Sequence, residues 1–338
     1  MVFDVIIDFL VKSYHRDNSK TKNKKDRIPA EERGEIMKKT AVLLPCCNEE
    51  LTIAKVIADF RRELPDAEIY VYDNNSTDRS RELAEEAGAA VRSAPQQGKG
   101  YVVRKMFQEI EADCYLMADS DDTYPAEAAP ELIRGILSGE ADMVCGDRLS
   151  TTYFEVNPRK FHNFGNSLVC LLIRLLFRHR VSDVMTGYRA FSRRFVKNCP
   201  ILFSGFELET EMTLFALDRR LPFREIPVSY RDRPEGSVSK LNTYRDGLRV
   251  LKTIFLLLSN YRPLFFYGML GLLALVISAA FFVPVLLEFL KTGAVPRYPT
   301  LFCAVSLAII GVLLIGCGLI LKTVKHYFDC LAEINLKR

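Results

Sequence analysis

The sequence has no tryptophan, only four histidines, and no C-x-x-C pair among its nine cysteines. The histidines lie too far apart along the chain to suggest a zinc site, and an odd number of scattered cysteines fits no closed disulfide framework. The net charge is only +4, and no basic stripe is interleaved with aromatic residues. These absences argue against a zinc protein, a disulfide-rich secreted domain and a nucleic-acid binder.

The N-terminal segment consists of a short apolar stretch and a charged linker, which we assign to residues 1–38. Residues 3–11 are apolar but include Asp4 and Asp8, and no basic stretch precedes them, so they do not form a secretory signal. They predict either an interfacial helix or a helix packed on the main domain. Residues 12–40 are rich in Lys, Arg, Asp, Asn and Glu, which is typical of a solvated linker.

After the linker, short apolar runs alternate with segments whose apolar residues recur at helical spacing. This alternation indicates a parallel α/β sheet with helices on both faces, in which ligands bind beyond the carboxyl ends of the strands. The polar clusters of the chain fall at those ends. The predicted strands are residues 41–44, 69–72, 89–91, 114–118 and 143–145, and the predicted helices are residues 51–64, 79–87, 101–110 and 126–137.

Two long apolar stretches without a charged residue, 263–287 and 298–321, lie near the C-terminus. A helix of about 24 residues is about 36 Å long, enough to cross a hydrocarbon core of about 30 Å. The short connection between the two stretches predicts a transmembrane hairpin. Lys and Arg concentrate beyond its outer ends rather than in the connection, which predicts that the α/β domain and both termini lie in the cytoplasm.

The segment 244–258 mixes basic and apolar residues just before the hairpin. This composition predicts an amphipathic helix at the membrane surface, with an ordinary packed helix as the alternative. We therefore expect a juxtamembrane helix over 242–260, the hairpin region over 261–325 and a cytoplasmic tail over 326–338.

The predicted strand 114–118 ends in three carboxylates, those of Asp119, Asp121 and Asp122. Carboxylates this close repel one another unless a cation neutralises them. Mg²⁺ and Mn²⁺ take oxygen ligands and bridge one or two carboxylates to substrate phosphates. A turn or a helix cap is the alternative. The position directly after a buried strand favours a metal and diphosphate site.

Three other polar segments follow predicted strands or precede helices. Residues 73–78 (D-N-N-S-T-D) can receive a base or a ribose through carboxylate and amide hydrogen bonds, while a residue of the same turn caps the next helix. Asn48 and Glu49 follow a proline and open a helix, so capping is an alternative to ligand binding. Glycines on both sides of Lys99 let the backbone approach a phosphate, and the lysine supplies positive charge.

Together these motifs are similar to family 2 inverting glycosyltransferases of GT-A fold. Three later segments, Gly146–Arg148, Asn163–Asn166 and Asp183–Phe191, resemble dolichyl-phosphate mannose synthases and bacterial polyprenyl-phosphate glucosyltransferases. The resemblance covers a catalytic domain over 39–241, and the hairpin is similar to the bacterial, GtrB-like branch. Processive polysaccharide synthases of the same superfamily carry a Q-x-x-R-W motif. This chain has no tryptophan and cannot carry that motif, which argues against such a synthase.

The resemblance implies transfer of a hexose, with inversion, from a nucleotide-sugar to polyprenyl (undecaprenyl) phosphate at the cytoplasmic face of the inner membrane, with Mg²⁺ or Mn²⁺. UDP-glucose is the preferred donor, a mannose synthase using GDP-mannose is the alternative, and UDP-galactose and related donors stay open. Two rival functions stay open, namely transfer to a protein or a diacylglycerol, and a non-catalytic membrane scaffold. Some hairpin-bearing relatives assemble, and homo-oligomerisation is kept open by that analogy.

The resemblance also implies roles for particular residues. Catalytic roles fall to Asp119, Asp121 and Glu207, and metal ligation to the same two aspartates and Thr123, although Thr123 is shorter than the Gln of some relatives. Glu207 and Glu211 are four residues apart, so on a helix they share a face. The residues implied for the nucleotide-sugar are Pro45, Asn48, Glu49, Asp73, Asn75, Ser76, Lys99, Asp119 and Ser120.

The acceptor phosphate is implied to contact basic and hydroxyl side chains. Arginine suits this role because its planar fork makes paired, charged hydrogen bonds to phosphate oxygens. Structural salt bridges are the alternative for each arginine, and a plain surface linker is the alternative for the segment 231–240. The implied residues are Arg148, Thr186, Arg189, Arg233, Ser239 and Lys240.

Overall fold

The computed structural model describes residues 38–151, 160–203, 205, 207–231, 255–256 and 258–336. The chain divides into two compact units, 1–38 and 39–338, and all the elements below belong to the second. The predicted helix over 3–11, the linker up to residue 37 and residues 244–254 of the predicted juxtamembrane helix lie outside the described residues.

The centre of the second unit is a seven-stranded sheet. Its strands are, in chain order, β1 (Thr40–Cys46), β2 (Glu68–Asp73), β3 (Ala90–Ser93), β4 (Cys114–Met117), β5 (Met143–Asp147), β6 (Arg189–Ser192) and β7 (Phe223–Pro227). In space the order is β3-β2-β1-β4-β6-β5-β7. Strand β6 is antiparallel to both its neighbours, and the other six strands run in one direction. The predicted α/β class with a mostly parallel sheet is confirmed.

Helices cover both faces of the sheet because side chains alternate along each strand. The helices of the domain are α1 (Ile53–Glu63), α2 (Ser80–Glu86), α3 (Lys99–Glu109), α4 (Ala129–Leu137), α5 (Lys160–Phe177), α6 (Arg193–Asn198) and α7 (Leu208–Asp218). In β1, Leu43 joins the core on the face of α3, α6 and α7, whereas Val42 and Leu44 join the core on the face of α1 and α4.

All five predicted strands and all four predicted helices of the α/β domain are present, with small shifts at their ends. Strands β6 and β7 were not predicted as strands. Strand β6 begins at Arg189, a charged residue whose complete burial no local pattern announces. Strand β7 is an edge strand with mixed charged and apolar residues and only partial burial, so it lacks the apolar run of the inner strands.

Two long apolar helices follow the domain, α8 (Pro263–Thr292) and α9 (Tyr298–Leu336). By length and composition both can cross a membrane, and only 17% of each apolar window is buried. They pack closely where glycines face each other, since a Cβ at Gly271 would lie 2.6 Å from the carbonyl oxygen of Gly311. Gly293 caps the C-terminus of α8, and its φ of 69° lies in the left-handed region that favours glycine.

Helix α9 does not stop at the end of its apolar run. It continues to Leu336, so the part of the predicted tail up to that residue is helical. Near the end of α7, Lys325 Nζ lies 3.1 Å from Asp218 Oδ1, and Arg219 Nη1 lies 3.0 Å from Asp329 Oδ1. The continuation of the second apolar helix is therefore ion-paired to the α/β domain.

Candidate active site

The carboxyl ends of β1, β2 and β4 meet at one edge of the sheet. In the register of β1 with β2, Cys46 lies opposite Asp73. Across β1 and β4, the Ser120 hydroxyl donates to the Pro45 carbonyl oxygen at 2.9 Å. Thr52 in turn donates to the Ser120 carbonyl oxygen at 2.6 Å. The predicted polar segments after these three strands therefore lie together, and the Ser120 side chain is buried and engaged with β1.

The segments after β1 and β2 interlock through their backbones. The Asn48 side chain accepts from the Thr77 N–H at 2.7 Å, and the Asn48 N–H donates to the Ser76 hydroxyl at 3.0 Å. The Glu49 N–H donates to the Ser80 hydroxyl at 2.7 Å. The side chain of Asn48 thus binds the neighbouring turn and does not cap α1. The two loops form one rigid rim at the predicted nucleotide site.

Asn74 is a positioning residue that the sequence pattern did not single out. Its buried amide donates to the carbonyl oxygens of Ala94 and Gln96, both at 2.7 Å, and accepts from the Gly98 N–H at 2.8 Å. The G-K-G loop (98–100) is therefore held against the end of β2. The sequence signal that could have identified Asn74 is its position directly after Asp73, in the polar run that follows β2.

Lys99 begins α3, and its ammonium contacts two carboxylates. Its Nζ lies 2.5 Å from Asp119 Oδ1 and 2.8 Å from Glu209 Oε1. The side chain of Glu209 is only 3% exposed, and that of Asp119 is 29% exposed. Burial lowers the pKa of Lys99, but the two carboxylates outweigh it and raise that pKa above its ordinary value. Lys99 is therefore a permanent cation at the predicted metal and diphosphate position.

Glu209 was missed because the E-L-E-T-E run that contains it was interpreted through Glu207 and Glu211. Glu211 instead accepts hydrogen bonds from the backbone N–H groups of Leu202 and Phe203, and burial raises its pKa. Glu207 precedes the first residue of α7. The catalytic role implied for Glu207 stays a prediction.

The last two aspartates of the D-S-D-D motif (119–122), Asp121 and Asp122, have different surroundings. Asp121 is 5% exposed and its Oδ1 accepts from the Thr123 hydroxyl at 2.6 Å. This hydroxyl orients Asp121, so Thr123 is better described as a support for that carboxylate than as a metal ligand. Asp122 adopts φ 58° and forms a salt bridge with Lys55 at 2.6 Å. Asp119, next to a lysine and partly exposed, is the carboxylate best placed to meet a ligand.

Among the residues that the structure describes, no group of three or more His, Cys, Asp or Glu side chains forms a metal site built from protein alone. A divalent ion that bridges a diphosphate needs only one or two protein carboxylates. Asp119 already sits against a cation, and its carboxylate and that of Asp121 are the oxygen donors that Mg²⁺ and Mn²⁺ prefer. The donor set therefore fits an ion shared with a bound diphosphate.

Tyr124 joins the D-S-D-D motif (119–122) to the later M-T-G-Y-R segment (185–189). The Gly187 N–H donates to the Tyr124 hydroxyl at 2.8 Å. A Cβ at Gly187 would lie 2.8 Å from Asp119 Oδ2, so only glycine leaves this carboxylate its present position. The two segments, more than 60 residues apart along the chain, form one wall of the site.

Residues 41–199 match the Glycosyl transferase family 2. Over 108 residues the chain is 56% identical to protein RfbJ of Shigella flexneri, with 32% of this chain and 84% of RfbJ covered. Over 214 residues it is 31% identical to a dolichyl-phosphate hexose transferase of Haloferax volcanii, with 63% of this chain and 91% of that protein covered. This chain belongs to glycosyl transferase family 2.

A solved structure shares the fold. Glucosyl-3-phosphoglycerate synthase from Mycobacterium tuberculosis, in complex with Mn²⁺, uridine diphosphate and glucosyl-3-phosphoglycerate, superposes with a TM-score of 0.54 at 23% sequence identity. The match covers 66% of this chain and 80% of that chain. The predicted GT-A fold of this glycosyltransferase is thereby confirmed.

Two of the residues predicted to contact the acceptor phosphate of this glycosyltransferase lie in its interior. Arg189 is 0% exposed, and its guanidinium donates to the carbonyl oxygens of Thr186 and Val184 and to the Thr213 hydroxyl. Thr186 is also 0% exposed. Because neither side chain reaches the surface, the phosphate role predicted for both is wrong. Arg189 instead ties β6 to α7.

Arg148 forms a structural salt bridge, the alternative to a phosphate contact. Its Nε lies 2.7 Å from Asp183 Oδ2, and its Nη2 lies 3.0 Å from Asp183 Oδ1. The Asp183 side chain is 0% exposed, and the guanidinium also lies 5.7 Å from the ring centre of Tyr230. These paired hydrogen bonds hold residues 146–148 against Asp183, two residues before the M-T-G-Y-R segment.

The remaining predicted acceptor residues, Arg233, Ser239 and Lys240, lie outside the described residues, and so do the side chains of Asn163–Asn166. The first residue of the predicted acceptor segment is described. Arg231 forms a salt bridge with Glu127 at 3.0 Å and lies 4.0 Å from Asp122, so this residue lies beside the D-S-D-D motif.

Proposed function

We propose that this glycosyltransferase transfers a hexose, with inversion, from a nucleotide-sugar to polyprenyl phosphate at the cytoplasmic face of the inner membrane, and that UDP-glucose is its preferred donor. The observation that carries the proposal is the presence of a carboxylate and ammonium site, Asp119 with Lys99, in one chain with two helices long enough to cross a membrane. The first feature fits a nucleotide diphosphate donor, and the second fits an acceptor that resides in a membrane.

The comparisons support the acceptor and the donor separately. A relative that is similar over most of its own length is named a dolichyl-phosphate hexose transferase, and dolichyl phosphate is a polyprenyl-type phosphate. The solved structure of the same fold holds Mn²⁺ and uridine diphosphate. These names favour a lipid phosphate as acceptor and a uridine nucleotide as donor.

At the donor end, we assign Asp73 and the interlocked loops around Asn48 to the nucleoside, and Asp119, Asp121 and Lys99 to the diphosphate. Mg²⁺ or Mn²⁺ held by the two aspartates would stabilise the charge that develops on the departing diphosphate. Lys99 adds a fixed positive charge at the same place, since its raised pKa keeps it protonated.

At the acceptor end, an oxygen of the lipid phosphate attacks the anomeric carbon as the bond from that carbon to the diphosphate oxygen breaks. A phosphate monoester has a second pKa near 6 and is mostly dianionic at pH 7, so the reaction needs no strong general base. We assign Glu207 to the sugar. Arg233, Ser239 and Lys240 remain our proposal for the lipid phosphate.

The test is transfer of label from a panel of nucleotide-sugars to undecaprenyl phosphate in membranes that contain the enzyme. We expect an organic-extractable sugar phosphate, formed best from UDP-glucose and only with a divalent ion. Asp121→Asn, which keeps the shape of the side chain, abolishes transfer while the protein stays folded in the membrane. Asp66→Asn, at an exposed loop position, leaves transfer unchanged. Label in protein or diacylglycerol, or an active Asp121→Asn variant, refutes the proposal.

A further inference from the structure

A cavity of about 210 Å³ lies against the N-terminal half of α7. It is larger than the cavity of about 150 Å³ that holds benzene in an engineered protein core. Its apolar walls come from the loop before α7, from α7 itself and from the segment that precedes α8. The apolar lining residues are Leu202, Phe203, Leu214, Leu256 and Tyr261.

Four polar residues, Glu207, Thr210, Glu211 and Asn260, also line the cavity. Glu211 lines the cavity, but its carboxylate accepts from the backbone N–H groups of Leu202, at 3.0 Å, and Phe203, at 3.2 Å. Burial raises the pKa of this carboxylate above its ordinary value. The carboxylate of Glu211 is therefore held by the protein, and Glu207, which we assign to the sugar, lines the same cavity.

The cavity borders α7, which carries Glu209 of the charged site, and the segment just before the apolar helix α8. On α7, Glu209 contacts Lys99 beside Asp119, while Thr210 and Leu214 of the same helix line the cavity. At 1.5 Å per residue, these positions span only about 8 Å along the helix axis. On the other side, Leu256 and Tyr261 line the cavity just before α8 begins at Pro263.

We propose that this cavity binds the first isoprene units of the acceptor lipid, those next to its phosphate. The inference rests on the proposed function, because it concerns the same acceptor. A lipid phosphate that reacts at the sheet edge must have its chain lead back to the bilayer, and the cavity is an apolar space along that route. Burial of a methyl-branched chain in this apolar space supplies affinity.

The first test fills the cavity. Leu202 is 70% exposed, so Leu202→Trp is expected to fold normally while its larger ring enters the cavity mouth. Leu256→Trp fills the cavity from the opposite wall. Leu175→Trp, on α5 at a position that is 68% exposed and does not line the cavity, is the matched control. Thermal unfolding in detergent verifies that all three variants fold.

We expect both cavity variants to raise the KM for undecaprenyl phosphate and for geranyl phosphate about tenfold, with kcat and the KM for the nucleotide-sugar unchanged. The control keeps the wild-type KM for both acceptors. An unchanged acceptor KM in both folded cavity variants, or an equal rise of the donor KM, overturns the proposal.

A second measurement locates the chain directly. Geranyl phosphate with a diazirine on its first isoprene unit is photolysed with the wild-type enzyme in detergent, and the labelled peptides are sequenced. Label in the peptides that contain residues 202–203 or 256–261 supports the proposal, and label elsewhere alone overturns it. If the wild-type enzyme transfers sugar to no polyprenyl phosphate, the proposed function itself fails. If transfer occurs without either cavity effect, only the cavity assignment fails.

Discussion

Replacement of Lys99 by methionine tests the charge arrangement at the centre of the site. The change keeps most of the side-chain length and removes the ammonium that lies 2.8 Å from Glu209 and within hydrogen-bonding distance of Asp119. Glu209, with 3% of its side chain exposed, is then left as a buried carboxylate without this cation. We expect the Lys99→Met variant to be clearly less stable than the wild-type protein.

The size of the effect follows from burial. Removal of one partner of a buried ion pair typically costs about 3–5 kcal/mol, because the remaining charge has no compensation. Asp119 is partly exposed, so water screens its share of the loss and the lower end, about 3 kcal/mol, is expected. In a domain of this size, that loss lowers Tm by roughly 6–12 °C.

Thermal unfolding in detergent measures the effect, and two further variants make it specific. Lys99→Met combined with Glu209→Leu removes both buried charges, so it is expected to recover most of the lost stability. Arg134→Met removes a partner of an exposed pair, 3.6 Å from Glu131, and is expected to cost less than about 1 kcal/mol.

A Lys99→Met variant that unfolds at the wild-type temperature would falsify the buried ion pair. A double variant less stable than Lys99→Met would contradict the view that the uncompensated carboxylate of Glu209 causes the loss.

Three further predictions concern the neighbouring walls of the site. Gly187→Ala places a Cβ 2.8 Å from Asp119 Oδ2 and displaces that carboxylate, so kcat for sugar transfer should fall at least about tenfold with little change in Tm. Full activity of this variant would contradict the close contact between Gly187 and Asp119. Arg148→Met leaves the fully buried Asp183 without its paired partner, and urea unfolding should show a loss of about 3 kcal/mol, whereas a surface-like loss below about 1 kcal/mol argues against the ion pair. Burial raises the pKa of Glu211 above its ordinary value of 4.5. Between the pKa of the unfolded chain and the raised pKa of the folded chain, the folded chain therefore binds more protons, and its stability falls as pH rises through this window. Glu211→Gln should therefore give a flatter Tm profile between about pH 4 and pH 8, and parallel profiles refute the shift.

Much of the fold could be predicted because its signals are local. The apolar run before Pro45 and the run before Asp119 are both inner strands, and the helices between strands repeat their apolar residues at helical spacing. The two uncharged stretches near the C-terminus are long helices for the same reason. Strand β7 escaped prediction because an edge strand with alternating partial burial has no such run.

The roles of charged residues were harder to predict, because a charged residue in a motif looks the same whether it faces a ligand or the interior. Arg189 was expected at a phosphate, but the pairing of β6 between β4 and β5 places it in the core. Arg148 was expected beside it, yet its guanidinium is held by Asp183, 35 residues away along the chain.

The sequence alone determined the α/β class, the acidic end of the fourth strand and the two membrane-length helices, since each depends on neighbours within a few turns or strand lengths. Only the tertiary structure decided which charges meet. Glu209 lies 110 residues from Lys99 along the chain and reaches it because α7 packs on the face of the sheet where α3 begins. Burial and ion pairing depend on strand order and helix packing, and no local pattern encodes them.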